Sequence, residues 1–124
     1  MIPLTQTTDI TYIRNTELLE NIPQETITQK IERYEKKYEI PEGHILALVE
    51  CETAGTASTT IQSYARYPDG SREDSWGLGQ IHLPAWPEIT VAQATDPDFA
   101  LTFIGDHWEE RHELWVICTR NHHL

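Results

Sequence analysis

The chain has 124 residues, room for one domain and not for two. Apolar residues make up 39% of it, a share that belongs with globular rather than disordered chains. The formal charge is -11, from 9 basic and 20 acidic residues, which argues against nucleic acid and anionic membrane surfaces as partners, since both are bound through clustered Lys and Arg.

In chain order, residues 1–22 read as a polar, threonine-rich arm of little order, with Ile10, Tyr12 and Ile13 as candidates to dock on the body. Met1 to Asp9 lacks the basic segment and apolar run of a secretory signal. No stretch approaches the roughly 20 apolar residues of a membrane-crossing helix, so no membrane insertion is expected. A single domain is expected over residues 23–124. Its first helix is expected to open at Pro23, followed by Gln24 and Glu25. Ile27, Ile31, Tyr34 and Tyr38 then recur on one face. Lys30, Glu32, Arg33, Glu35, Lys36 and Lys37 are expected on the solvated side.

A second helix is expected from Pro41, closed by Gly55. Its middle, Ile45 to Val49, is apolar all round, the mark of a buried helix. Glu50 and Glu52 stand at the end of that run. Residues from about Thr56 to Ser75 read as a long loop or small hairpin, with turn chemistry at Pro68-Asp69-Gly70-Ser71. Ser75-Trp76-Gly77-Leu78-Gly79-Gln80-Ile81-His82 reads as a short helix or tight turn, and Pro84 and Pro87 break the chain after it. A single helical turn is expected over about Val91 to Ala94, and a longer helix over about Pro97 to Glu110 with Asp96 as N-cap. The last segment, His112 to Thr119, is apolar. Cys51 and Cys118 are too few for a disulfide scaffold and are expected as small buried hydrophobes, with their meeting left open. Four tryptophans and five tyrosines are more than a core of this size needs, which leaves some for a binding surface.

Glu52 is the leading candidate for chemistry. A carboxyl at the end of a buried helix is desolvated, which raises its pKa toward neutrality and suits it to donate a proton. Glu50 is two residues away and points to another face. Metal chemistry finds little footing. His107 and His112 are five apart rather than the four that place two ligands on one face, and Asp96-x-Asp98 lacks the other ligands of a calcium loop. No metal or cofactor is expected.

Three blocks carry a resemblance. Ala47-Leu48-Val49-Glu50-Cys51-Glu52-Thr53, Gly77-Leu78-Gly79-Gln80-Ile81 and Asp96-Pro97-Asp98-Phe99-Ala100 with Phe103-Ile104 resemble, in order, the conserved blocks of the lytic transglycosylase and goose-type lysozyme superfamily. The resemblance covers roughly Ile40 to Thr119. It implies a mainly α, lysozyme-like domain with a small loop or hairpin lobe, cleaving peptidoglycan glycan strands as a monomer at the cell wall. Glu52 aligns with the catalytic acid. Ser75, Gly77 and Gln80 fall in the substrate-binding block, and Trp76, Trp86 and Tyr64 are candidates to stack on sugar rings. Thr53 stands where the family has Ser, Gly79 where it has Met, and Phe103 where it often has Tyr.

The second carboxylate separates the possible reactions. The goose-type aspartate aligns with Ser71, so Glu73 and Asp74 are the remaining candidates to activate water. Without one, the C6 hydroxyl of the sugar attacks and leaves the 1,6-anhydro end of a lytic transglycosylase, the reaction the sequence favours. Two other functions fit the composition: a catalytically silent wall-binding module on the same fold, and a helical protein-interaction domain using its acidic surface.

Overall fold

The computed structural model describes residues 24–124. The arm expected over residues 1–22 lies outside them, as does Pro23. Among the described residues there are six α-helices and one two-stranded sheet, so the architecture is mainly helical. No helix among them is long and apolar enough to cross a membrane.

Helix α1 spans Ile27–Lys37. It begins four residues beyond Pro23 because Thr26 and Gln29 form a capping box: Gln29 N–H donates to Thr26 Oγ1 at 3.1 Å, and Thr26 N–H donates to Gln29 Oε1 at 2.9 Å. Ile31 and Tyr34 are buried, with Ile27 and Tyr38 packed at the margin. The expected solvated side needs one correction. Glu35 is only 2% exposed, because its Oε2 accepts the backbone N–H groups of Ile45 at 2.9 Å and Leu46 at 3.3 Å.

Those two N–H groups belong to the first turn of helix α2, His44–Glu52. The helix starts three residues after Pro41, at a Gly43 N-cap in the left-handed region (φ 86°) that offers no side chain of its own. Glu35 supplies the missing acceptor, and its charge suits the positive end of the helix. Ile45, Leu48 and Val49 are buried. At the far end Gly55 N–H returns to Glu50 O at 2.6 Å and closes the helix.

Residues 56–74 fold back on themselves through the antiparallel bridges Gln62↔Trp76 and Arg66↔Arg72. Strands β1 (Ser75–Trp76) and β2 (Ile81–His82) pair antiparallel, Ser75 opposite His82. Of the two forms expected for this segment, the tight turn is the one found, closed by Gln80 N–H to Gly77 O at 3.1 Å at the tip of a hairpin. Gly77 (φ 76°) and Gln80 (φ 45°) reverse the chain in left-handed conformations that a helix does not admit. A Cβ on Gly77 would also strike the carbonyl of Ala94.

A 3-10 turn, Leu83–Ala85, leads on to α3 (Val91–Ala94) and α4 (Pro97–Asp106). Asp96 caps α4 by accepting Phe99 N–H at 2.8 Å. The helix expected to reach Glu110 ends at Asp106 and tightens into a 3-10 turn, Trp108–Glu110. Helices α5 (Arg111–Leu114) and α6 (Val116–His122) follow. Helix α4 is tied to α1 by Lys30 Nζ and Tyr34 Oη, 2.9 and 3.0 Å from the Asp98 carboxylate. It has Gly105 where a Cβ would strike the Tyr38 ring.

Cys51 and Cys118 form a disulfide between α2 and α6, with Cα atoms 5.8 Å apart. They are not the separate buried thiols expected from their number. The bond closes a loop of 67 residues, for which chain entropy gives about 4 kcal/mol of stabilisation. The double variant Cys51→Ser/Cys118→Ser should lose about that much in urea unfolding. A loss under about 1 kcal/mol would mean that helix packing alone holds α6 in place.

Candidate functional site

Helix α2 ends at the wall of an open cleft of about 470 Å³. Glu52, its last residue, lines the cleft and is partly buried, whereas Glu50 is exposed on another face. Among the described residues no side chain donates a hydrogen bond to the Glu52 carboxyl. Burial first, and the nearby Glu73 carboxylate second, push its pKa up to about 7 from the ordinary 4.5. Both causes disfavour the charged form, so the group holds a proton close to neutral pH. Thr53, the C-cap beside it, is fully buried. Its hydroxyl donates to Val49 O at 2.7 Å and accepts Ala57 N–H at 2.8 Å, which fixes the exit of the chain from the helix.

The hairpin lobe supplies the opposite wall. Glu73, Ser75, Gln80 and His82 all line the cleft. Ser75 Oγ–H donates to Glu73 Oε1 at 2.7 Å, and Ser75 Oγ lies 3.0 Å from His82 Nδ1. The Ser75 hydroxyl therefore bonds Glu73 and not Glu52. Gln80 Nε2 donates to Gly77 O at 3.0 Å and Ile61 O at 3.3 Å, so its amide braces the turn while the residue borders the cleft.

Asp74, Trp76, Gly77 and Tyr64 lie apart from the cleft lining. Asp74 is taken up by the loop: its Oδ1 accepts Trp76 Nε1–H at 2.6 Å, and its carbonyl accepts Leu83 N–H at 2.9 Å. That same bond holds Trp76 outside the lining. Gly77 turns behind the wall against Ala94. Tyr64 is 70% exposed, with the Arg72 guanidinium 5.1 Å from its ring centre. Of the two loop carboxylates considered, the structure brings only Glu73 to Glu52.

Of the three aromatic candidates, the structure brings Trp86 to the cleft. Trp86 lines the cleft and packs edge-on to Phe103, with ring centres 5.1 Å apart. Trp115 also lines it, and its indole N–H donates to Gly79 O at 2.7 Å. A Cβ on Gly79 would meet Ile104 Cγ1 at 3.2 Å, so the glycine seats the turn closely on α4. Phe103 presents a ring without a hydroxyl to the cleft. Sequence reasoning missed several residues of the lining, among them Trp115 and the two titratable ones, His82 and Glu113. His82 follows directly on the second block, and the hairpin pairing brings it to Ser75. Glu113 is in none of the blocks and carried no signal.

Among the described residues no group of three or more His, Cys, Asp or Glu side chains is placed to hold a metal ion. Comparison with known protein families, with curated proteins and with solved structures finds no match to this chain.

The Glu52 proton has a consequence for stability. A carboxyl with a raised folded-state pKa binds its proton more tightly in the native chain. Its contribution is fully present below about 4.5 and is lost as the pH rises through about 7. The difference corresponds to about 3 kcal/mol. Glu52→Gln should therefore be more stable than the native chain at pH 8, by up to that amount, with the gap closing below pH 4.5. Urea midpoints at the two pH values check this, and equal midpoints at pH 8 would show an ordinary, solvated carboxyl.

Proposed function

We propose that the chain cleaves the glycan strands of bacterial peptidoglycan at the β-1,4 bond between N-acetylmuramic acid and N-acetylglucosamine, on a lysozyme-like fold with Glu52 as proton donor. The observation that carries this reading is a carboxyl protonated near neutrality on the wall of an open cleft, at the end of a buried helix. Glycoside cleavage needs such a donor at the leaving oxygen. The three ordered sequence blocks support the same assignment, and the helical architecture is compatible with it. Trp86 offers an apolar ring in the cleft for a sugar face. A disulfide next to Glu52 suits work in an oxidising compartment, where a cell wall is met.

In the leading chemistry Glu52 protonates the glycosidic oxygen, and the C6 hydroxyl of the muramic sugar attacks C1. The C1–O4 bond breaks, and the C6 hydroxyl proton leaves to the carboxylate that Glu52 has become. The product is a 1,6-anhydro end, and Glu52 regains its proton. The position of Glu73 favours a second chemistry. A second carboxyl group in the same cleft as the proton donor is the pairing that hydrolysis uses. Glu73 would then take a proton from water as the water attacks C1, leaving a reducing end.

Digestion of purified peptidoglycan, with products identified by mass spectrometry, tests the proposal. The native chain should release muropeptides, and Glu52→Gln should lower the rate by at least about 100-fold, the scale of general acid catalysis, while remaining folded. Anhydro products that persist in Glu73→Gln identify the transglycosylase. Reducing-end products lost in Glu73→Gln identify the hydrolase. Binding without release from several wall types would leave a silent wall-binding module, and neither binding nor release would point to a protein-interaction domain.

A further inference from the structure

Glu73 does not stand alone in the cleft. It lies two residues before Ser75 in an extended segment, and alternation along such a segment puts both side chains on one face. His82 lies directly opposite Ser75 in the β1–β2 register. Strand geometry alone therefore gathers Glu73, Ser75 and His82 into a row. Ser75 is the middle of that row and is 2% exposed, so solvent has little access to its hydroxyl.

A hydroxyl has one proton to give. Ser75 Oγ–H donates to Glu73 Oε1 at 2.7 Å, an ordinary length for a hydroxyl on a carboxyl oxygen. With its proton committed to Glu73, Ser75 Oγ meets His82 Nδ1 at 3.0 Å as an acceptor. Nδ1 must then carry a hydrogen, which fixes the orientation in which His82 donates to the row. His82 Nδ1 and Glu73 Oε1 are 4.0 Å apart, so Ser75 bridges a pair that does not bond directly.

We propose that Ser75 and His82 are positioning residues, forming a donor chain from His82 Nδ1–H to Ser75 Oγ–H to Glu73 that holds the Glu73 carboxylate in place beside Glu52. The proposal deepens the glycan-cleaving reading and rests on it for the role of Glu52. Through this chain the hairpin sets the charge that Glu52 faces. The remaining acidic group of the cleft is Glu113 from α5, and Glu73 is the charge that acts on Glu52.

The test is the titration of Glu52 by carbon NMR of labelled glutamate carboxyls, assigned with Glu52→Gln, in the native chain and four variants. Glu73→Gln removes the neighbouring charge and should lower the Glu52 midpoint. Ser75→Ala should also lower it, because an unsupported Glu73 carboxylate is freer to turn away. His82→Leu should lower it too. This sign is diagnostic, since losing an imidazolium without a donor chain would raise the midpoint instead. His82→Asn, which keeps an N–H donor near the place of Nδ1, should restore the native value. An unchanged or raised midpoint in both Ser75→Ala and His82→Leu overturns the proposal, as does an unchanged midpoint in Glu73→Gln. His82 is partly solvent-exposed, so its variants remain informative if Ser75→Ala folds poorly. The measurement needs no turnover. Shifts without peptidoglycan cleavage would keep the donor chain and sink the proposed function, while cleavage without shifts would do the reverse.

Discussion

The Glu35 carboxylate accepts two backbone N–H groups at the start of α2, and that helix is the support of everything in the cleft. A helix of this composition has to be buried, yet burial strands the first N–H groups of any helix. Gly43 leaves them without a local cap. An acid from the neighbouring helix meets both needs, and it is itself satisfied by the N–H groups it accepts. At the other end the Cys51–Cys118 bond anchors the last turn to α6. Glu52 therefore projects from an element fixed at both ends, beside a Thr53 hydroxyl that fixes the next residue.

The cleft is assembled from parts distant in sequence. Helix α2 brings Glu52, the hairpin lobe brings Glu73 and His82, and the segment around Trp115 closes the side. Two glycines let these parts approach, Gly77 against the carbonyl of Ala94 and Gly79 against Ile104. The Trp115 indole bonds the Gly79 carbonyl, so the C-terminal helices grip the turn through a buried contact. A carboxyl pushed up to about 7 by burial fits a site assembled this closely, since a looser one would let water in and lower its pKa.

Much of this was legible in the sequence. The face of α1, the apolar run of α2, the short turn at Val91–Ala94 and the Asp96 cap of α4 follow from periodicity and cap chemistry that act within a few residues. What stayed hidden depends on partners far along the chain. Glu35 sits among lysines and glutamates and looks solvated, and only the packing of α1 on α2 shows why it is buried. The pairing of Cys51 with Cys118 needs the contact between α2 and α6. The hairpin at residues 75–82 was masked because glycines at 77 and 79 suit several turns. Asp74 and Glu73 are chemically alike and adjacent in sequence, but strand alternation sends them to opposite faces. One meets the cleft and the other an indole N–H. The lining role of Glu113 depends on the break at Trp115 between α5 and α6, for which neither glycine nor proline gives notice.

The four tryptophans are distributed so that the molecule reports on itself. Trp86 and Trp115 border the cleft, Trp76 is bonded to Asp74 in the loop behind it, and Trp108 is buried with the Arg111 guanidinium 5.0 Å from its ring centre. Filling the cleft covers the half-buried Trp86, while Trp115, 4% exposed with its indole N–H on Gly79, keeps its surroundings, as do the other two. The intrinsic emission thus combines one responsive indole with internal references, and occupancy can be followed optically without attaching a dye.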